Sequence, residues 1–154
     1  MNIKTAEFCS PKHPDKICDF IADAILDAYL AGDKASRVAV EVMGGHKLIT
    51  INGEVTSAVA PDIEKIVKGI VGDEYKVIIN IALQSVEIGR GVDTGGAGDQ
   101  GIMKGYATNE TEVFLPLEYT LARDLCQKVY EVYPYDGKTQ VTVEDGVVTT
   151  VVVS

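Results

Sequence analysis

The chain of 154 residues carries a formal net charge of −9 at pH 7, and 46% of its residues are hydrophobic. Its acidic residues are spread along the sequence, which argues against a nucleic-acid partner, because phosphate backbones are bound by basic patches. Cys9, Cys18 and Cys126 show no C-x-x-C spacing, which argues against a disulfide framework and against a zinc ribbon. With no signal peptide and no apolar run of about 18–20 residues, we expect a soluble, cytoplasmic chain that contacts no membrane.

The first half of the chain is predicted to contain two helices and three strands. Apolar residues recur at helical spacing after Pro14, which suits the first position of a helix, and Gly32 is expected to end that helix. Gly44-Gly45 separates two β-rich runs and predicts the turn of a hairpin. The predicted elements are a helix over 15–30, strands over 37–43 and 46–52, a helix over 61–71 and a buried strand over 76–83.

The second half opens on a glycine-rich region. Residues 89–105 include seven glycines and are predicted to form a long functional loop. Residues 85–94, which begin before this region and end within it, are predicted to be a mobile gate, because Gly89 and Gly91 interrupt the hydrophobic periodicity. The remaining predicted elements are a helix over 116–132 and strands over 138–144 and 147–153, joined by a tight turn at Asp145-Gly146.

The sequence His13-Pro14-Asp15-Lys16 places an imidazole, a carboxylate and an ammonium at the start of the first helix. Free backbone N–H groups and the positive end of the helix dipole favour anions at such a position. An imidazole and an ammonium can bind phosphate oxygens, while Mg²⁺ usually takes one or two carboxylates plus substrate oxygens. The pattern therefore indicates a site for a phosphate–metal complex. A capped helix with a surface His and Lys has the same spacing and stays open as an alternative.

The segment from Gly96 to Gly101, Gly-Ala-Gly-Asp-Gln-Gly, matches the G-x-G-x-x-G pattern of dinucleotide sites. Such a site requires a strand directly before the motif and a helix directly after it. The preceding strand is predicted to end near Leu83, and Gly105 interrupts the residues that follow. Dinucleotide binding is therefore a weak alternative, and binding of NAD would test it.

Glu41 lies in a run of apolar residues within the second predicted strand. Strand alternation puts it on the same face as Ala39 and opposite Val40 and Val42. Taken by itself, this position predicts a carboxylate at the edge or rim of a sheet.

Several segments, in a fixed order, carry a specific pattern. His13-Pro14-Asp15-Lys16 and the helix after it resemble the opening of S-adenosylmethionine synthetases, also called methionine adenosyltransferases. The glycine segment 96–101 and residues 105–111, Gly-Tyr-Ala-Thr-Asn-Glu-Thr, are similar, residue for residue, to the signature of that family. Asn52-Gly53-Glu54, Gln84-Ser85 and residues 136–142 resemble further blocks, so the resemblance runs over essentially the whole chain.

The resemblance implies a fold and an activity. The fold would be α/β of the α+β kind, with lobes of a sheet and helices around a pseudo-threefold axis, incomplete in this chain. Residues 1–95 would form an N-terminal lobe, and residues 96–154 would hold the signature loop, a helix and the start of a second lobe. In this family the sulfur of L-methionine attacks C5′ of ATP, and the released triphosphate is hydrolysed to pyrophosphate and phosphate. Mg²⁺ and K⁺ assist as cofactors, and the enzymes are usually oligomers.

The resemblance also implies roles for single residues. His13 and Lys138 would be catalytic and would stabilise the departing triphosphate. The residues that bind ATP would be Glu7, His13, Lys16, Asp136 and Lys138. Methionine would be bound by Glu54, Gln84 and Asp99, while Asp15 would hold Mg²⁺ and Glu41 would serve the K⁺ site.

The chain departs from the family pattern in three ways. Lys12 stands where the family usually has glycine, and the region 71–83 is shorter than usual. The later blocks, with a second metal aspartate, several lysines, an arginine and a phosphate loop, are absent. We therefore predict part of a methionine adenosyltransferase that needs a homo-oligomer or a second chain supplying the missing lobes. The alternative is a non-catalytic relative that binds a nucleotide or a partner.

Overall fold

The computed structural model describes residues 2–154 as a mixed α/β protein, which confirms the predicted fold class. The described residues form two three-stranded sheets and four helices. The strands are β1 (Ile3–Cys9), β2 (Arg37–Gly45), β3 (Leu48–Thr56), β4 (Lys76–Leu83), β5 (Lys138–Glu144) and β6 (Val147–Val153). The helices are α1 (Pro14–Gly32), α2 (Ile63–Val71), α3 (Val86–Asp93) and α4 (Leu117–Val132). None of the described helices combines the length and the apolar character needed to cross a membrane.

The chain forms two compact units. Unit 1 consists of the chain up to Ile17 together with Met103–Ser154, and unit 2 is Cys18–Ile102. Unit 1 joins the two ends of the sequence because β1 pairs with β5. The lobe boundary after residue 95 refers to the complete family fold and stays a prediction.

Unit 2 is built on the sheet β2-β3-β4, in which β2 and β3 are antiparallel and β3 and β4 are parallel. One face of the sheet is buried against α1 and α2. The fully buried side chains of this core are Ile21 and Ile25 of α1, Ile49 and Ile51 of β3, and Val67 of α2. The other face, called here the open face, carries the alternate residues. Ala39 and Glu41 are exposed on it while Val40 and Val42 are partly buried, which confirms the predicted side of Glu41.

The hairpin between β2 and β3 turns at His46-Lys47, so the prediction of a turn at Gly44-Gly45 was wrong. His46 and Lys47 have φ angles of 49° and 61°, as a type I′ turn requires. Gly44 is a strand residue that pairs in register with Ile49, and a Cβ at this position would lie 2.5 Å from Ile49 Cδ1 and 3.3 Å from Cys18 Sγ. This glycine permits close packing and does not make the turn.

Two further predictions in unit 2 were wrong. The glycine-rich region is not a loop throughout, since α3 extends into it as far as Asp93, with the Ser85 Oγ accepting a hydrogen bond from the Ile88 N–H at 3.4 Å. Strand β4 is not buried, because it lies at the edge of the sheet, and Ile78 and Ile79 remain 41% and 43% exposed. The mobility of residues 85–94 stays a prediction.

Unit 1 is built on the antiparallel sheet β1-β5-β6, which α4 covers on one face. The core of this unit consists of Ala122, Val141 and Val143, and the Thr139 hydroxyl donates a buried hydrogen bond of 2.7 Å to the Ala122 carbonyl. The sequence analysis missed β1. Its apolar and polar residues give no clear strand pattern. Its partner strand, β5, begins more than 120 residues later, so no local signal predicts the pairing.

The C-terminal hairpin confirms the prediction from sequence. Asp145 and Gly146 have φ angles of 47° and 85° and form its two-residue turn. Strand β6 lies at the edge of the sheet, and all of its residues are exposed. A run of valines at an unpaired strand edge is prone to aggregation or to pairing with another strand.

Candidate functional site

His13 closes the loop between β1 and α1. Its carbonyl accepts a hydrogen bond from the Ile17 N–H at 3.0 Å, and its Nδ1 accepts one from the Asp15 N–H at 3.2 Å. The Asp15 carboxylate lies 3.8 Å from Nδ1, beyond hydrogen-bond distance. A ring nitrogen that accepts a hydrogen bond carries no proton, so Nε2 is the donor of the neutral imidazole. The helix start thus fixes the tautomer of His13.

Ser10 attaches this loop to the segment before β5. Its side chain is buried, and its Oγ donates to the Tyr135 carbonyl at 3.0 Å and accepts from the Lys12 N–H at 3.3 Å. The Ser10 N–H donates to the Gly137 carbonyl at 2.9 Å. Because Lys138 directly follows Gly137, these bonds hold the His13 loop beside the start of β5.

Glu7 and Lys138 form an ion pair on neighbouring strands of unit 1. The Lys138 Nζ donates to Glu7 Oε1 at 3.0 Å. This hydrogen bond, followed by the charges on Glu7 and Asp15, raises the pKa of Lys138 against the opposing effect of desolvation. The ammonium therefore stays protonated at neutral pH, and with three N–H donors it can bind other oxygens besides that of Glu7.

The other residues predicted to bind ATP lie in unit 1, and so does Asp15, which was predicted to hold Mg²⁺. Asp15 is 83% exposed, and the Lys16 Nζ lies 5.8 Å from the centroid of the Phe8 ring, within the range of a cation–π contact. Asp136 lines a cavity of about 220 Å³ together with Ser10 and Lys138. Unit 1 therefore holds all the residues predicted to bind ATP and the one predicted to hold Mg²⁺.

Glu41 and Glu54 are diagonal neighbours on the open face of unit 2. Glu41 pairs in register with Asn52, and Glu54 pairs with Ala39. The Asn80 side chain donates to Asn52 Oδ1 at 2.8 Å, which continues a polar row across the sheet from Glu41. Two carboxylates and two amides thus border one another on this face.

Gln84 lies directly after β4, at the edge of the sheet where β2 begins. The Arg37 Nε donates to Gln84 Oε1 at 2.9 Å. Asp99 is exposed in the glycine segment, and its carboxylate accepts from the Gln100 N–H at 2.7 Å. The residues predicted to bind the substrate methionine therefore all belong to unit 2.

The glycine segment 96–101 adopts irregular backbone. No strand ends directly before it, and no helix begins after it until α4. This context does not support the dinucleotide alternative, which needs a strand–turn–helix arrangement.

The candidate metal ligands of this chain are single carboxylates. Within residues 2–154, no group of three or more His, Cys, Asp or Glu side chains is arranged to hold a metal ion. The exposed carboxylate of Asp15 at the start of α1 fits the way proteins bind Mg²⁺, which relies on one or two carboxylates with the remaining oxygens from phosphate and water. Glu41 likewise offers one carboxylate beside amide oxygens.

Sequence reasoning missed Ser10 and Arg37, the two residues that hold parts of the site in place. A polar residue beside His13 gives no signal by itself, because the partners of Ser10 lie about 125 residues away in sequence. Arg37 was read only as the start of a strand. An arginine at a strand end, opposite the end of a parallel strand, was the available signal.

Comparisons with known proteins agree along the whole chain. The sequence model of the S-adenosylmethionine synthetase N-terminal domain matches residues 1–89, and that of the central domain matches residues 94–154. S-adenosylmethionine synthase 1 of Frankia casuarinae is 42% identical over 175 aligned positions, covering 91% of this chain and 44% of the relative. The S-adenosylmethionine synthase of Nocardia farcinica is 43% identical over 176 positions, with the same coverage of 91% and 44%.

A solved structure gives the same result. The fold matches that of an S-adenosylmethionine synthetase from Campylobacter jejuni, described as unusual, with a TM-score of 0.85 and 34% identity over 99% of this chain and 48% of that one. The chain thus spans about half the length of the relatives it matches. Two domain models match in order and together account for nearly every residue, and the chain therefore belongs to the S-adenosylmethionine synthetase family.

Proposed function

We propose that this chain supplies the N-terminal and central part of a methionine adenosyltransferase, a transferase that forms S-adenosylmethionine from ATP and L-methionine. The sulfur of methionine forms a bond to C5′ of ATP as the C5′–O5′ bond breaks, and the electron pair leaves with the triphosphate. Hydrolysis of the triphosphate then gives pyrophosphate and phosphate. The observation that carries the proposal is the attachment of the His13 loop to the start of β5 through Ser10.

The phosphate-binding role is assigned to unit 1. The backbone N–H of Asp15 donates a hydrogen bond to Nδ1 of His13. The Nε2–H can therefore donate to the triphosphate oxygen on which charge develops. Glu7 orients Lys138 by accepting one of its N–H bonds, and the remaining donors are available for phosphate oxygens. Lys16 adds a second ammonium, and Asp136 lines the cavity of about 220 Å³ beside Lys138.

The cofactors would be Mg²⁺ at Asp15 and K⁺ at Glu41. Bound there, Mg²⁺ would neutralise phosphate charge and K⁺ would add positive charge near the open face. The role of Asp15 itself is to present an exposed carboxylate at the helix start, where it also favours the protonated form of Lys138.

Methionine would be bound by residues of unit 2. Glu54 and Asp99 offer carboxylates for its ammonium, and Gln84 offers an amide. The Gln84 oxygen already accepts from Arg37, so the amide nitrogen is left to donate.

The active enzyme would be an assembly. Only two of the proposed ATP residues, Asp136 and Lys138, line the cavity beside Lys138, and Lys16 lines a different cavity. The chain also spans less than half of the curated relatives. A second chain with the remaining segment would complete the site, with or without further copies of this chain, in the cytoplasm where ATP and methionine are available.

The experiment that tests the proposal replaces His13. In an assembly that contains the missing segment, His13→Asn is expected to lower kcat by about 10²–10³-fold, with the KM for ATP nearly unchanged, since its hydrogen bond strengthens as charge builds on the leaving oxygen. Steady-state kinetics measure both constants. The matched control is His46→Asn, the same change at the β2–β3 turn, where asparagine accepts the positive φ angle.

The control should keep the activity of the unchanged assembly. A kcat for His13→Asn within about threefold of that value, less than about 1 kcal/mol, would reject the role of His13. Binding of ATP without any turnover in the complete assembly would favour a non-catalytic nucleotide-binding relative.

A further inference from the structure

One side chain of unit 2 contacts both ends of α3. The Arg37 Nε donates to Gln84 Oε1 and its Nη1 donates to Asp93 Oδ1, each at 2.9 Å. Gln84 lies just before the N-cap residue of α3, and Asp93 is the last residue of the helix. Between them, a Cβ on Gly89 would lie 4.0 Å from Arg37 Nη2. The guanidinium therefore lies beside the middle of α3, near Gly89, and the side chains of Gln84 and Asp93 reach it from the two ends of the helix.

The topology of the sheet places Arg37 where it can do this. β2 runs antiparallel to β3, and β4 runs parallel to β3, so the first residue of β2 and the last residue of β4 lie at the same end of the sheet. Arg37 pairs with Thr56, and Leu83 pairs with Val55. The arginine side chain is long enough to cross the end of β3, and its planar fork can bond two acceptors at once.

Other contacts hold α3 only weakly. The helix has eight residues, none of them buried, and Gly89 and Gly91 lower its intrinsic stability. Its apolar residues gain little from packing, since Val86 is 67% exposed and Ile88 is 38% exposed. A segment with so little buried surface opens easily unless specific contacts close it.

The contact with Arg37 also fixes the orientation of the Gln84 amide. A guanidinium only donates hydrogen bonds, so the atom of Gln84 that faces it is the oxygen. The nitrogen then points away from Arg37 and can donate to an acceptor on a ligand. If the hydrogen bond between Arg37 and Gln84 breaks, the amide of Gln84 can rotate and present either its oxygen or its nitrogen.

We propose that Arg37 is a positioning residue that locks α3 in place and, through the same guanidinium, orients Gln84 for methionine. The locking of α3 rests on the contacts alone, whereas the effect on methionine rests on the proposed function. Closure of α3 and presentation of the Gln84 nitrogen are then one event, because both depend on one planar group. Asp93 contributes by holding the far end of that group.

Hydrogen exchange on the full 154-residue chain tests the locking. Arg37→Gln is expected to raise the exchange rates of the amides in residues 86–94 by about tenfold, and Asp93→Asn by a smaller factor, because each removes contacts that hold α3. Arg37→Lys keeps the charge without the fork and should resemble Arg37→Gln more than the unchanged chain. The matched control is Arg123→Lys, whose guanidinium pairs with Asp124 on α4. Its exchange in residues 86–94 should not change.

Loss of an exposed ion pair has little effect on global stability, so the midpoint of denaturant unfolding should stay nearly constant in these variants. Unchanged exchange in residues 86–94 for Arg37→Gln would overturn the proposal. A large drop in the unfolding midpoint, with faster exchange throughout unit 2, would also overturn it, because Arg37 would then be a general structural residue. The double variant Arg37→Asp with Asp93→Arg reverses the ion pair and should restore part of the protection of α3.

Kinetics of the complete assembly test the link to Gln84. Arg37→Lys is expected to raise the KM for methionine by about fivefold and to leave the KM for ATP unchanged. Equal changes in both KM values, or none, would overturn the coupling. An unchanged assembly that makes no S-adenosylmethionine would reject the proposed function, while hydrogen exchange would still decide whether Arg37 locks α3.

Discussion

The two units hold their candidate residues in different ways. In unit 1, His13 and Lys138 come from opposite ends of the chain, and backbone hydrogen bonds together with the buried Ser10 hold their segments side by side. In unit 2, Glu41, Glu54 and Gln84 come from three successive strands or their ends, and Gln84 is held by one partly exposed arginine. The residues proposed to bind phosphate are therefore held by long-range pairing, and the segment proposed to bind methionine is held by side-chain contacts with Arg37.

This difference suits the chemistry proposed for each unit. A triphosphate leaving group needs donors that are already in place, because reorganisation during the reaction raises the barrier. A binding site for methionine must let the substrate in and then close over it. The following substitutions break or sharpen the comparison, from the largest expected effect to the smallest.

Gly53→Ala should disrupt unit 2 most strongly. Gly53 lies between Asn52 and Glu54 in β3, and a Cβ there would collide with the Ala39 carbonyl oxygen and lie 2.9 Å from Val40 Cα. Both are backbone atoms that cannot move away easily, so we expect a loss of about 3 kcal/mol, the upper end of the usual cost of overpacking. Denaturant unfolding of the 154-residue chain measures it.

The control for this change is Gly45→Ala in the neighbouring strand, where a Cβ would meet nothing within 4 Å. Its free energy of unfolding should stay close to that of the unchanged chain. Equal stabilities of the two variants would show that the sheet of unit 2 can yield at Gly53.

Ser10→Ala should loosen unit 1. The substitution leaves the Tyr135 carbonyl without its hydroxyl donor and the Lys12 N–H without its acceptor. Loss of such bonds around a buried group costs about 1–3 kcal/mol. Thermal unfolding measures the change, with the exposed Ser154→Ala as the control. If Ser10→Ala left both stability and the kcat of the assembly unaltered, the attachment of the His13 loop would not matter.

Acidification should weaken unit 2 through Asp33, at the end of α1. Hydrogen bonds from the backbone N–H of Ala58 and then of Ala35 lower the pKa of its carboxyl. A lowered pKa in the folded state means that the stabilisation is complete above the ordinary carboxyl range, near pH 4, and is lost as the pH falls through the folded value. Unfolding measured from pH 6 downwards should show this loss.

Asp33→Asn should flatten that pH profile, and Asp19→Asn, at an exposed carboxylate of α1, should leave it as it is. A profile for Asp33→Asn that falls as steeply as that of the unchanged chain would place the acid sensitivity elsewhere.

The smallest effect is expected at Gly69 in the interior of α2. A Cβ there would meet nothing within 4 Å, so Gly69→Ala should stabilise the helix by about 0.5–1 kcal/mol through the lower entropy of the unfolded chain. The unfolding midpoint should rise while kcat of the assembly stays constant. A lower midpoint would mean that α2 needs the glycine for a contact.

Elements with local signals could be predicted from the sequence. The α1 start at Pro14 and the hairpin at Asp145-Gly146 were found because capping and turn residues act on their immediate neighbours. β1 was missed because its pairing depends on β5 at the other end of the chain. The β2–β3 turn was misplaced because Gly44 is needed for packing against Ile49, which a local pattern does not show.

The candidate site divides in the same way. His13, Asp15 and Lys16 lie at a helix start, and their chemistry could be predicted from the local sequence. Lys138 and the residues predicted to bind methionine were found through the family resemblance. Neither source indicated that Glu7 would pair with Lys138 or that Arg37 would bond to Gln84. Such contacts depend on strand register and on the reach of long side chains, which only the fold determines.

The most direct test of the account is complementation. The 154-residue chain is assayed for S-adenosylmethionine with ATP, methionine, Mg²⁺ and K⁺, first alone and then with a chain that carries the remaining half of the family fold. We expect no product from the chain alone, because the triphosphate carries three to four negative charges and the candidate cations here are Lys16 and Lys138. Product should form when the second chain is added. Robust turnover by the chain alone, or none by the complete assembly, would contradict the account.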